Sequence, residues 1–452
     1  MGGNMSLYNW ITEKVVLPAS DVVLKRSIAG DLKFLSQSQW WSVSELEAYQ
    51  DERLRELVRH AYENVPYYHD LFKRYKLTPE DIRSQKDLPK IPCLTKKNIR
   101  ENYPHRLVAR NIPKNRMLRK ASSGSTGEPL RYAVSKSSYG FKLACYLRGW
   151  YWMGYRLGDR YVKLSIHPRS NSEKKLQDRI NNCVYVHSPY LTEENVNDCL
   201  GQIVRSRAKF IRGYPAALDV FARHLEIGAG DSYRPAAIST NGEPLYPAQR
   251  KNIEKRFQCP VFDSYSAEGV SVMMECHTHR TYHVAGEYGV TEVLKDGEPI
   301  EEGMGEIVGT DLHNYAMPFI RYKVKDIGTV KKKTCTCGRG LPSFERIEGR
   351  DTDILVTPGG KHITFYFFAV YFMWNEAVEM FQLHQTEQDR MTLKIVPTAL
   401  FKSGMAKRIH DDIQRHMGED VQLEVKLVES IPLTAAGKRR FFLRDPHISM
   451  TL

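Results

Sequence analysis

No apolar run in this chain is long enough to cross a bilayer. The longest, residues 365–374, spans ten residues, whereas a membrane helix needs about 20, so this run reads as a buried helix. Residues 1–10 are polar and lack the apolar centre of a secretory leader, and a cytoplasmic protein without a transmembrane segment is expected. Met-Gly-Gly-Asn-Met-Ser meets the formal pattern for N-myristoylation, but Met5 serves equally well as a start, so the pattern is given no weight. Cysteine is sparse, with eight in 452 residues. That excludes a small disulfide-stapled fold and favours reduced thiols. Nothing in the pattern repeats, although tyrosines number 25. Acidic residues are outnumbered, 53 against 66 Lys and Arg, for a formal charge of +13. A basic excess suits polyanions such as nucleotides, coenzyme A, acidic carrier proteins, nucleic acid or an anionic membrane. Dispersed charge also reads simply as a solubilising surface. The two basic clusters, 331–333 and 438–440, lack the interleaved aromatics of a single-strand binder, so no nucleic acid is expected as a partner.

What is present begins with length. A chain of 452 residues exceeds what one hydrophobic core usually serves, so at least two domains are expected. Residues 121–131 read Ala-Ser-Ser-Gly-Ser-Thr-Gly-Glu-Pro-Leu-Arg. Gly124 and Gly127 sit among the hydroxyls of Ser122, Ser123, Ser125 and Thr126. Such a loop lets backbone N–H groups gather around an anion, with hydroxyls as further donors. The Gly-Lys-Ser/Thr ending of a P-loop is missing, and a run of this composition also occurs as a flexible linker.

Apolar spacing predicts helix over 40–75, broken at the Val-Pro-Tyr-Tyr of 65–68, and again over 136–153. Short buried strands at 160–166, 182–187 and 208–212 alternate with helical stretches, followed by a helix at 247–258 and a strand at 260–263. That alternation predicts an α/β layer with a mostly parallel sheet. From 283 to 330 the pattern changes to short strands with Gly turns, as in a β-meander or small barrel. Beyond Gly349-Arg350 come a Pro-Gly-Gly turn, helices around 365–380 and 404–417, and strands near 390–396 and 421–427. The expected organisation is therefore a large α/β domain over 1–348 and a small α+β domain over 349–452.

Several motifs occur together in order. They are Arg-His-Ala-Tyr-Glu-Asn-Val-Pro-Tyr-Tyr (59–68), Leu-Pro-Lys-Ile-Pro-Cys-Leu-Thr-Lys-Lys (88–97), the loop at 122–129, Gly242-Glu243, Asp-Ser-Tyr-Ser-Ala-Glu (263–268), a segment from 305 to 328 ending Lys-Asp-Ile-Gly, Gly349-Arg350, and Ile-Pro-Leu-Thr-Ala-Ala-Gly-Lys (431–438). On these motifs the chain resembles the adenylate-forming acyl ligases, in particular the phenylacetate–coenzyme A ligase group and its capsule-biosynthesis relatives, over nearly its full length.

The resemblance implies roles for individual residues. The 122–127 loop grips ATP phosphates. Gly242, Glu243, Ser264 and Tyr265 form the adenine pocket, with Tyr265 stacked on the base. Glu268 holds Mg²⁺, for which a hard carboxylate oxygen is suited. Asp326 accepts both ribose hydroxyls, Arg350 also reaches the ribose, and Lys438 bridges the substrate carboxylate and the α-phosphate. Ser125 stands where relatives often have Thr. Ser266 and Ala267 replace the usual Gly and Thr before the acid, which removes one hydroxyl. At the hinge, Thr352 stands between Asp351 and Asp353 where the family has Asp. Each of these residues also has an ordinary reading: Tyr265 as a core aromatic, Glu268 as a surface acid, Asp326 as a turn residue before Gly328, and Lys438 as part of a basic patch.

The resemblance further implies a two-step reaction with ATP, Mg²⁺ and coenzyme A, in which the lid turns between steps. A small carboxylic acid would be adenylated and its acyl group then passed to coenzyme A. The alternatives within adenylation are an amine acceptor or a carrier-protein thiol. A different alternative is a non-catalytic basic binding protein that keeps the fold. Tyr146, His187 and Tyr214 are the expected neighbours of the acid, and a homodimer is one candidate assembly. Cys276 and His283, with Cys335 and Cys337 following in a Cys-x-Cys-Gly-Arg segment, match the donor set of a structural zinc in some relatives, with His279 as a substitute for His283. The same residues also read as free thiols and surface histidines.

Overall fold

The structure, a computed structural model, describes residues 6–121, 130–165, 169, 171–188, 193–225, 233–279, 281–331, 335–350, 355–359, 362–363, 368, 371–372, 375, 377–432, 440–445 and 447–448. Helices come first. Leu7–Ile11, Thr12–Val16 and Leu17–Leu24 run on as one rod, followed by Ile28–Ser38, Val43–Asn64 and Pro66–Arg74. The break expected at 65–68 falls on Val65 alone. Pro66 opens the next helix at a position where its missing N–H costs nothing. A reciprocal Ser42–Glu45 cap starts the longest helix.

A hairpin of β1 (Met117–Ala121) and β2 (Arg131–Ser135) then leads into the helix Lys136–Trp152. Strands β3 (Tyr161–Ser165), β4 (Cys183–His187), β5 (Phe210–Gly213), β6 (Ala237–Asn241) and β7 (Val261–Ala267) alternate with helices Ser172–Ile180, Glu193–Ser206, Pro215–His224 and Pro247–Phe257. The expected α/β alternation is thus present. After it come β8 (Ser271–Glu275), β9 (Tyr282–Val284), β10 (Gly289–Lys295), β11 (Glu298–Pro299), β12 (Gly303–Asp311), β13 (Tyr322–Val330) and β14 (Ser343–Arg350).

These strands join in one twelve-stranded sheet of order β11-β10-β12-β13-β14-β9-β8-β7-β6-β5-β3-β4. The stretch from β4 to β7 is parallel. From β7 onward every pairing is antiparallel. The meander expected after 283 therefore extends the α/β sheet as a continuous edge. One apolar cluster seats the N-terminal helices on the antiparallel half, and a second joins the parallel strands to their helices.

The C-terminal part contains β15 (Leu355–Val356), β16 (His362–Ile363), β17 (Val378–Gln385), β18 (Arg390–Pro397), the helix Met405–Met417, β19 (Gln422–Leu427) and β20 (Phe442–Arg444). The sheet β19-β18-β17-β20 packs on its own apolar cluster, which includes Phe368, Phe381, Ile413 and Phe442. The helix expected over 365–380 gives way to strand from Val378. Phe368, within the apolar run, is fully buried.

Candidate active site

In an open parallel sheet the strand ends all point one way, and ligands lie beyond the C-terminal ends where the strand order reverses. Here the order turns between β3 and β5. The residues singled out from the sequence lie along that edge. His187 ends β4, Tyr214 follows β5, Gly242 and Glu243 follow β6, Ser264 and Tyr265 lie in β7, and Glu268 follows it. Gly242 has φ +84°, and a Cβ there would come within 2.9 Å of the Tyr214 ring. This close approach and the left-handed backbone both require glycine.

Two of the expected nucleotide contacts meet directly. The Tyr265 hydroxyl donates to Asp326 Oδ2 at 2.7 Å, although the residues are 61 apart in sequence. Asp326 in turn pairs across the β13–β14 ladder with Arg350. The aromatic, the carboxylate and the backbone of the arginine thus lie side by side. Ser264 turns inward, donating its hydroxyl to the Thr240 carbonyl at 2.8 Å, and so braces β7 against β6.

Glu268 sits in the three-residue turn between Ala267 and Ser271, the last paired positions of β7 and β8. Gly269 follows it at φ +72° with the Phe319 ring packed close, so only a residue without a side chain fits. Glu268 Oε2 is 3.1 Å from the Lys142 ammonium and accepts from Tyr132 at 3.4 Å. Burial works against the charge on Lys142, but Tyr146 and Glu268 outweigh it and hold the ammonium above its usual range. Tyr146 donates to the Ser266 hydroxyl, which brings the expected acid-pocket residue onto the same segment.

Sequence reasoning missed Lys142 and Tyr132. Lys142 lies one helical turn before Tyr146 in the helix expected over 136–153, and a lysine among aromatics was the available signal. Sequence reasoning also missed a buried network behind β7. Asp263 accepts from Thr240 and Tyr282, both at 2.5 Å, and its N–H donates to Glu275 at 2.9 Å. Glu275 is held by Arg250 at 2.7 Å. Burial, with the neighbouring Glu275, pushes the Asp263 carboxyl up to about 7.

The loop residues Ser122, Ser123, Gly124, Ser125, Thr126 and Gly127 and the lysine Lys438 lie outside the described residues, as does the side chain of Arg350. The strands that carry the loop are described. Beside them a cavity of about 620 Å³ opens, lined by Arg100, Arg119, Lys120 and Arg131 with Tyr103 and Pro104. A basic wall at the root of the loop suits phosphate.

The four metal-donor candidates converge. The ligand atoms of Cys276, His283, Cys335 and Cys337 all lie within 4.8 Å of one another. The sulfurs of Cys276 and Cys335 are 3.7 Å apart, and Cys337 Sγ is 3.3 Å from His283 Nε2. Tetrahedral bonds of about 2.0–2.3 Å imply donor separations of about 3.3–3.8 Å. His279 takes another place, with its ring against Phe262 and Nδ1 3.7 Å from Glu275. Burial, with Arg339 and Arg148 nearby, pushes His283 down to about 4, so its imidazole is neutral, as a ligand must be. All eight cysteines are free of disulfides.

An aromatic hydrogen-bonded to a carboxylate across the sheet, and an acid in the turn after the last parallel strand, lie on a fold that this chain shares with proteins of known structure, and its sequence is similar to named ligases. The CapK C-terminal domain family matches residues 355–445. The chain is 28% identical over 352 residues to the phenylacetate–coenzyme A ligase of Escherichia coli (strain K12), covering 70% of this chain and 74% of that one. It is 23% identical over 409 residues to protein CapK of Staphylococcus aureus, with 88% of each covered. Among solved structures, 2-hydroxyisobutyryl-CoA ligase in the postadenylation state in complex with 2-HIB-AMP superposes with a TM-score of 0.75 at 18% identity, over 91% of this chain and 93% of that one.

Proposed function

We propose that the chain is an ATP-dependent ligase that activates a small carboxylic acid as its adenylate and passes the acyl group to the thiol of coenzyme A. The observation that carries this is the Tyr265–Asp326 hydrogen bond, made three residues before the β7–β8 turn that presents Glu268, in a chain similar over most of its length to enzymes named phenylacetate–coenzyme A ligase.

In the first step a carboxylate oxygen attacks the α-phosphorus and the bond to pyrophosphate breaks. In the second the thiol sulfur attacks the acyl carbon, AMP leaves, and the thiol proton passes to solvent. No protein nucleophile is needed, so the chain's part is to position groups and stabilise charge. Asp326, oriented by Tyr265, holds the ribose, and the 122–127 loop with its basic flank holds the phosphates. Residues 1–348 form the body and 349–452 the lid, which brings Lys438 to the developing charge.

Glu268 Oε2, already held by Lys142 and Tyr132, is the carboxylate suited to Mg²⁺. That ion neutralises phosphate charge when bound. Cys276, His283, Cys335 and Cys337 would hold a structural zinc, because four protein donors leave no open position for chemistry.

The test is pyrophosphate release with a panel of aryl, amino and fatty acids, with and without coenzyme A. Turnover of at least one acid, with a coenzyme A thioester as product, is the expected result. No ATP turnover with any acid overturns the ligase reading, and release only with an added amine moves the acceptor to an amide. Lys438→Ala should lower adenylation by about 10²–10³-fold, measured by pyrophosphate exchange.

A further inference from the structure

The N-terminal rod is inside out. Its buried positions are polar: Asn9, Thr12 and Asp21 are each 5–6% exposed. All three are anchored. Asn9 donates to the Leu157 carbonyl at 2.9 Å and to Asp159 at 3.1 Å, Thr12 donates to the Tyr8 carbonyl, and Asp21 accepts from the Ala29 N–H at 2.8 Å. Its outward positions are apolar. Leu7, Ile11, Val15 and Val22 follow one another at helical spacing along a single stripe, and Val22 and Val23 are 80% and 77% exposed. Trp10 and Tyr8 flank the stripe, also exposed. A helix that turns its polar residues inward and offers valine and leucine to water is not folded for water on that side.

The charge around the stripe indicates what covers it. Lys14 and Lys25 are exposed beside it, and no acidic residue from 6 to 27 is exposed: Asp21 is buried, and Glu13 is half-buried and paired with Lys14 at 3.1 Å. The patch continues onto the helix Ser172–Ile180, whose Ile180 carbonyl accepts from the Tyr8 hydroxyl at 3.0 Å. That helix exposes Leu176 and Ile180 together with Lys174, Lys175 and Arg179, against one exposed acid, Glu173. An isologous dimer would set these lysines against their own copies with little carboxylate to answer them. An anionic bilayer answers both halves of the pattern, because its acyl boundary takes the apolar stripe, interfacial aromatics sit at headgroup level, and lysines meet the headgroups.

We propose that this face lies on an anionic membrane surface, with the rod parallel to the bilayer plane. Among the described residues no helix is long and apolar enough to cross a membrane, so the contact is peripheral.

The test is flotation of the full chain with vesicles of phosphatidylcholine alone and with phosphatidylserine added. The chain should float with the anionic vesicles and be released by added salt. The combined variant Val15→Glu, Val22→Glu, Val23→Glu alters only exposed positions. It should keep its thermal midpoint and its pyrophosphate release and lose vesicle partitioning by about tenfold or more. Lys14→Glu with Lys25→Glu should abolish the preference for anionic over neutral vesicles. Absence of flotation, or flotation unchanged in the valine variant, overturns the proposal. A concentration-dependent dimer in sedimentation that the valine variant splits also overturns it, and assigns the face to a second copy.

Discussion

At the scale of single residues, the site depends on pairs that the sequence separates widely. Tyr265 and Asp326 were each nameable from their motifs, but their hydrogen bond joins strands on either side of β8, β9 and β14 and is visible only in the fold. The Lys142–Glu268 pair divides structure from chemistry. Lys142→Met removes the cation from a mostly buried carboxylate and should lower stability by about 1–3 kcal/mol in denaturant melts. Glu268→Gln keeps an acceptor for Tyr132 and Lys142, so it should melt near the wild-type midpoint while adenylation falls by at least about 10²-fold. If Glu268→Gln retains full adenylation, the acid is structural.

At the scale of elements, the sharpest constraint is the β7–β8 turn that presents Glu268. Gly269→Ala would place a Cβ 2.5 Å from the Phe319 ring at φ +72°. The cost should be about 1–3 kcal/mol, with a further loss of adenylation because the turn that aims the acid must open. A melt compared with pyrophosphate release checks both. Four of the five parallel strands were legible because buried β-runs and amphipathic periodicity are local signals, but β6 (Ala237–Asn241), at the centre of the parallel stretch, was not foreseen. The C-terminal strand β17 was less legible, since the helix expected from the apolar run at 365–374 reaches across Asn375 and Glu376 to 380, past the point where the strand starts at Val378. The way the meander fuses to the parallel strands was not legible, because strand pairing is a non-local choice. The inverted N-terminal rod also escaped notice, since apolar spacing marks a helix but does not say which face is inward.

At the scale of the whole molecule, buried ionisable groups set the pH response. His313 stacks on Phe141 and hydrogen-bonds the Glu287 carbonyl at 2.8 Å. Burial pushes its imidazole down to about 4 from 6.5. Between those values the unfolded chain binds more protons, so the stabilisation present above pH 6.5 is lost as pH falls towards 4, by up to about 1.4 kcal/mol per pH unit. Asp311, raised by burial to about 6, has the opposite sign: its contribution is lost as pH rises through that value. The difference in slope between wild type and His313→Gln in melts from pH 7 to 4 isolates the histidine, and the variant should be flatter. The thiol–imidazole cluster acts at the same scale. One zinc per chain is expected by elemental analysis, lost in Cys335→Ser with Cys337→Ser. Strand β14 starts beside that cluster, where Ser343 pairs with His283, and ends at Arg350 opposite Asp326. On the proposed reading it is a tie-rod that zinc would bolt at one end and that carries the lid at the other. A chelator should therefore slow catalytic turnover before circular dichroism registers any unfolding, because the fulcrum loosens while the rest of the frame still stands.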